Sequence, residues 1–277
     1  MQRLSWTDLL TSQFEVDAIP IRVFTVCHPK HDLIAVRIES SLLQEGRLAV
    51  SLKFPYGSNE WGKAADWEHP DRHATQHRIE DRRADLTRIL DADRYCVRVN
   101  WSAGADIQTK SPHEYVIASE AKQSATPRDD MEDGPLEVVV AFSPAEFSSP
   151  LPAFDEVRKA AADYWSQFWT CGAAISFSGS SDPRAAELER RVVLSQYLTA
   201  IQCAGSCPPQ ETGLTCNSWF GKSHLEMHWW HAVHFALWDR LELLERSLPC
   251  CVGFRVRISG RASTRESRPR RRRLCRR

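Results

Sequence analysis

Residues 213–240 gather three or more chemistries in one stretch: Trp219, Trp229 and Trp230, the imidazoles of His224, His228, His231 and His234, and Asn217, Lys222 and Glu226. Indole faces stack on the C–H faces of pyranose rings, while amide, ammonium, imidazole and carboxylate groups fork onto hydroxyls. The stretch is too polar for an ordinary core helix and too aromatic for a solvated one. Its chemistry suits sugars.

A helical projection separates two roles within it. At 100° per residue His224, His228, His231 and Phe235 fall within about 60° of one another, whereas Glu226 lies about 160–200° from His224 and His228. His-x-Glu-x-His on one helix therefore cannot bring Glu226 and both imidazoles to one metal, and the spacing is not that of His-Glu-x-x-His. The imidazoles read as a hydrogen-bonded seam between packed helices. Glu226 is left as the carboxylate that could serve a substrate, either on its hydroxyls or, as a weak candidate, as a catalytic group.

The elements that position these residues change character along the chain. Leu48, Val50, Leu52 and Phe54 alternate with polar partners, and 21–26, 33–39, 95–101 and 136–142 read as further strands between turn signals. Several short strands so spaced argue for an antiparallel β-sandwich over 1–150. The first strand follows Met1 so soon that the beginning of the sheet is expected to be missing. Residues 61–73 form a polar, aromatic loop in which Trp61 or Trp67 could act as a platform and Asp66, Asp71 or Arg72 could meet hydroxyls. Residues 116–124 resemble the peptide encoded by short repeats dispersed in bacterial genomes, and are expected as an insertion in an exposed hairpin.

A linking helix and a short strand-like run are expected over 151–180. Asp182-Pro183 opens a helix that runs to about Ala204, apolar on two opposite sides and so expected between two layers. Another helix covers about 225–240, and 241–248 either continues it or begins a new one. After Pro249 the periodicity stops. Residues 250–277 carry eleven Arg and one Glu between them, as out-of-frame reading of GC-rich DNA would give, and are expected to be disordered. The net charge of zero therefore divides into a basic tail and a body with about ten surplus acids.

With 42% hydrophobic and 26% charged residues the chain is of soluble, globular composition. It shows no signal peptide and no long apolar span, so a cytoplasmic location without membrane or nucleic-acid partners is expected. Nine scattered Cys form no zinc pattern and read as reduced thiols.

Asn217-Ser-Trp-Phe-Gly-Lys-Ser-His-Leu-Glu-Met-His-Trp-Trp-His231, with Pro208–Gly213 before it and Ser178–Arg184 further back, resembles bacterial glycoside hydrolase family 65-like proteins. These are six-hairpin glycosidases with an N-terminal β-sandwich and an (α/α)6 barrel. The resemblance implies an α+β multidomain chain: the sandwich, then the first helices of an incomplete barrel over 181–249. It implies cleavage of glycosidic bonds of oligosaccharides, by hydrolysis or phosphorolysis and with inversion, without metal or organic cofactor; inorganic phosphate is the one co-substrate allowed for. Asn217, Trp219, Lys222, His224, Glu226 and Trp229 would bind substrate, with Arg184 in support. Better-known members carry Trp-Asp-x-Glu where this chain has Ser223-His-Leu-Glu226, so no Asp is carried over. The general acid would come from a later helix, in sequence missing from this chain. The alternative is a non-catalytic carbohydrate-binding or scaffold protein.

Overall fold

The computed structural model describes residues 2–4, 9–58, 60, 63, 65–119, 134–212 and 223–250, which divide into two compact units, 1–171 and 172–277. Beside two single-turn 3-10 helices (Ser41–Leu43 and Pro70–Arg72), the first unit holds thirteen strands and one α-helix among its described residues. They are β1 (Gln2–Leu4), β2 (Leu10–Val16), β3 (Ile19–Cys27), β4 (Leu33–Glu39), β5 (Ala49–Lys53), β6 (Tyr56–Gly57), β7 (Ala65–Asp66), β8 (His73–Glu80), β9 (Arg83–Leu90), β10 (Asp93–Trp101), β11 (Ala105–Ser111), β12 (Glu114–Ser119), β13 (Leu136–Ser143) and α1 (Phe154–Thr170).

Eight strands form one antiparallel sheet in the order β1-β2-β3-β4-β13-β10-β9-β8, and a smaller sheet runs β11-β12-β5. The alternation that defines these strands also sorts them into two cores. On β13, Leu136, Val138 and Val140 join Leu86, Val97 and Val99 against Ile107, Tyr115 and Ile117 of the small sheet. The intervening Val139 and Ala141 face the other way, onto Phe154, Val157 and Ala161 of α1. The large sheet is thus covered by the small sheet on one face and by a helix on the other.

The tight connections suit the twist of the strands. Asp17 and Ala18, between β2 and β3, both have positive φ, as a two-residue type I′ hairpin requires. The helix expected within the linker 151–180 belongs to the first unit, because Phe154, Val157, Ala161, Trp165 and Phe168 place one apolar stripe inside. Its start is secured by Glu156, whose carboxylate accepts from the Ala153 amide at 2.7 Å.

Three expectations need correction, the third of them on α2 below. Residues 116–119 are not an exposed insertion: they complete β12, the central strand of the small sheet, and Tyr115 and Ile117 are 0% exposed. The alternation of Tyr115 and Ile117 with Val116 and Ala118 fits the inner face, whatever the origin of the segment; 120–124 lie outside the described residues. Ile117→Val is accordingly expected to cost about 1 kcal/mol in urea denaturation, where an exposed hairpin would show no change. The strand-like run 174–177 is irregular, its Phe177 amide held by Glu189 at 2.6 Å.

The second unit's described residues include α2 (Ala185–Cys203), α3 (Leu225–Leu237) and α4 (Leu241–Glu245). The 241–248 segment therefore begins a new helix after a break at Asp239, whose φ is positive. The α2 helix is not covered on two sides: Leu188, Leu194, Leu198 and Ile201 are exposed, and Ala200 and Cys203 are its buried residues. Among the described residues no helix is long and apolar enough to cross a membrane. The described cysteines form no disulfide.

Candidate functional site

On α3 the two roles separated by the helical projection occupy different sides. His228, Ala232 and Phe235 are buried, whereas Glu226, Trp229 and Trp230 are exposed, the two indoles at 64% and 70%. His228 Nε2 meets Ser247 Oγ at 3.1 Å, and the same hydroxyl donates to the Leu244 carbonyl at 2.9 Å. The hydroxyl has one proton, so His228 donates from Nε2 and its Nδ1 is left an acceptor; that Nδ1 has no partner among the described residues. Burial, then the neighbouring His231, lowers the His228 pKa, and burial also lowers that of His234, whose Nε2 donates to the His231 carbonyl at 2.9 Å.

Glu226 falls in the first turn of α3, where the helix dipole favours a carboxylate, and His224 stands at the N-cap position. Trp229 follows Glu226 by three residues and so shares its side of the helix. This pairs an open aromatic face with a hydrogen-bond acceptor. Arg184 is exposed and folds back on Asp182, whose Oδ2 it meets at 2.8 Å; it is not gathered with the α3 residues by any contact described. Asn217, Trp219 and Lys222 lie outside the described residues.

The first unit carries a second polar cluster that the sequence reading passed over. Arg88 on β9 is 0% exposed, and its guanidinium donates to Thr75 Oγ1, His113 Nδ1 (3.0 Å), His73 Nδ1 (2.5 Å), the Pro55 carbonyl (3.2 Å) and Tyr95 Oη (3.4 Å). All five acceptors are neutral, and no ion pair of Arg88 is found among the described residues. The ring of His73 stacks on that of His113 at 3.7 Å between centroids. An arginine only donates, so both imidazoles present a bare Nδ1 to it and carry the proton on Nε2. His113 spends that proton on the Pro70 carbonyl at 2.9 Å. Burial, then Arg88 and His113, lowers the His73 pKa to about 4, so the ring is neutral near pH 7. The signal for this cluster was in phase with the strand: Arg88 occupies the same alternation as Ala84 and Leu86, which face the core.

The 61–73 loop is partly ordered into β7 and a short turn. Asp66 is buried rather than free in solvent, accepting from the Glu68 amide at 2.9 Å and His69 Nδ1 at 2.8 Å. The hydrogen bond from His69 lowers the Asp66 pKa. Asp66, Glu68 and His69 bring their ligand atoms within 4.8 Å of one another, but His69 Nδ1 is turned onto Asp66 Oδ2 at 2.8 Å and Glu68 pairs with Lys63 at 3.3 Å. Arg72 donates to Tyr56 Oη at 3.2 Å, and Trp67 is exposed. Trp61 lies outside the described residues.

The first unit is therefore a helix-backed antiparallel β-sandwich, followed by a separate helical unit. No protein-family model matches the chain, and no curated protein does. Among solved structures it is similar to one provisionally named as a kojibiose phosphorylase from the human microbiome, with a TM-score of 0.40 and 10% identity over 66% of this chain and 26% of that one. It is also similar to a family GH92 α-mannosidase from Bacteroides thetaiotaomicron. In complex with mannoimidazole that protein gives a TM-score of 0.25 and 10% identity, over 61% of this chain and 22% of its own. Without that ligand the TM-score is 0.23 and the identity 11%. The chain spans about a quarter of the length of these structures.

Proposed function

We propose that the chain is a carbohydrate-recognising part of a glycosidase or glycosyl phosphorylase lineage, in which α3 presents an oligosaccharide-binding face. The carrying observation is the exposure of Trp229 beside Glu226, on the side of the helix opposite the buried His228, Ala232 and Phe235. A bare indole offers a sugar ring its apolar face at little entropic cost, and a carboxylate beside it accepts from hydroxyls. In this reading the second unit is the opening of an (α/α)6 barrel, and Asn217, Trp219, Lys222 and His224 are further substrate-binding candidates, with Arg184 in support. The barrel as a whole would invert the anomeric centre, using water or inorganic phosphate as acceptor.

The alternative is binding without turnover. Inverting hydrolysis needs two carboxyl groups about 6.5–9.5 Å apart; Glu226, the one acidic residue of the helix Leu225–Leu237, would supply at most one of them. Kojibiose, named for one of the structural neighbours, is the first ligand to try. Titration of the full chain is expected to give saturable binding that Trp229→Ala weakens about tenfold, equivalent to 1.4 kcal/mol, while Trp229→Phe retains part of it. Binding that ignores Trp229, or no oligosaccharide binding at all, would overturn the assignment. Release of a monosaccharide or sugar phosphate would favour the catalytic form over the binding form.

A further inference from the structure

A cleft of about 230 Å³ opens on the first unit where β5, the turn before β12 and the 65–73 segment meet, with Lys53, Asp66, Trp67, His73, Ser111 and Glu114 around it. It is smaller than the roughly 300–1,000 Å³ of pockets for drug-sized ligands. Its polar groups fall into two kinds. Because Arg88 occupies His73 Nδ1, the Nε2–H of His73 has no partner described and is the ring's remaining donor at the cleft. That proton is polarised by a buried cation behind it, and Lys53 supplies a second donor. Asp66 and Glu114 supply acceptors: each Asp66 oxygen keeps a lone pair beyond its bonds to Glu68 and His69, and Glu114 holds Lys53 at 2.9 Å. The indole of Trp67, 59% exposed, is the open apolar surface.

Charge decides between ligand classes. Arg88 and Lys53 are offset by Asp66 and Glu114, so the cleft holds no surplus that would draw a phosphate or a carboxylate. Donors and acceptors side by side, with one aromatic face, match a ring bearing adjacent hydroxyls, each of which gives one proton and takes another. We propose that this cleft is a binding site for a single neutral monosaccharide unit, independent of the α3 face. It rests on the first unit alone and does not depend on the oligosaccharide reading of Glu226 and Trp229.

The test titrates the full chain with the methyl glycosides of glucose, mannose and galactose, and separately with inorganic phosphate, following saturation-transfer NMR signals. At least one glycoside is expected to bind with a millimolar constant, as suits one small and solvent-open site. Trp67→Ala is expected to weaken it tenfold or more, Trp67→Phe to recover part, and Lys53→Gln, at an exposed position of β5, to weaken it threefold or more. Arg78→Gln, at an exposed position of β8 outside the cleft, is expected to leave it unchanged. Loss with Trp229→Ala but not Trp67→Ala would overturn this site and favour α3 instead. No binding by about 10 mM, binding insensitive to both Trp67 and Lys53, or saturable phosphate binding that Lys53→Gln removes would also overturn it.

Discussion

Replacing Arg88 by Lys is expected to destabilise the first unit by about 3 kcal/mol, and replacing it by Ala by about 4 kcal/mol or more. The guanidinium, itself fully buried, places five N–H donors in one planar fork, and each meets a different neutral acceptor. Lysine keeps the charge but has three donors on a single nitrogen, so at least two of the five acceptors lose their partner. Each buried polar group left unmade costs about 1–3 kcal/mol. Alanine removes every donor and opens a cavity beside Phe54, whose ring lies 5.1 Å from the guanidinium carbon. With total stabilities of about 5–15 kcal/mol, either loss is a large share. Urea denaturation with an unchanged slope and a lowered midpoint is the expected record. An Arg88→Lys midpoint within 0.5 kcal/mol of wild type, on the order of surface-mutation scatter, would mean that the fork geometry is not what the site selects.

Acidification is expected to weaken the same unit between about pH 6.5 and 4, by up to about 3 kcal/mol from His73 alone. The sign follows from where the proton is preferred. In the fold His73 is held neutral to about pH 4, by burial first, then by Arg88 and His113, against the opposing pull of Asp66 and Asp71. In the unfolded chain it takes up a proton near pH 6.5. Between these values the unfolded state binds more protons, so stability rises with pH across the window and is lost as pH falls through it. His73→Gln can still accept from Arg88 through its amide oxygen and cannot titrate. The difference between wild type and His73→Gln isolates this contribution from His28, whose pKa is also lowered, chiefly by burial. Parallel stability curves for the two proteins over pH 4–6.5 would refute the assignment.

What the sequence made legible was period-two alternation with one face apolar. Residues 33–39 and 136–142 read as strands because Leu33, Ala35, Val138 and Val140 recur every second position, and they are β4 and β13. Strands β8 and β11 were passed over because their outward faces carry charge and their inward faces offer polar His73 and Thr75 on β8 and little beyond Ile107 on β11. In β12 the resemblance of 116–124 to a dispersed repeat outweighed an alternation that was there to be read. The buried cluster was hidden for a related reason. Arg88, His73 and His113 are distant in sequence, and nothing local says that an arginine in phase with Ala84 and Leu86 turns inward. On α3 the angular separation of Glu226 from the imidazoles was visible from spacing alone, since it depends only on 100° per residue. The layering of α2 was misread because apolar spacing on two sides says what a helix could bury, not what stands beside it.

The pairing of β4 with β13 has a consequence for how the molecule is made. Leu33 lies opposite Ala141 and Ile38 opposite Leu136, so the seam at the middle of the large sheet joins parts of the chain about a hundred residues apart. The β8–β9–β10 meander closes through neighbouring hairpins and can form on its own schedule. The β1–β4 half cannot be completed when it leaves the ribosome. At about 5–20 residues per second, the open edge of β4 waits roughly 5–20 s for β13 to be synthesised. During that interval an edge of Leu33, Ala35 and Val36 main chain is available to any other strand, including the same strand of a neighbouring nascent chain. Yield of the native sandwich is therefore expected to respond to the tempo of translation and to chaperone occupancy as well as to the stability of the finished sheet.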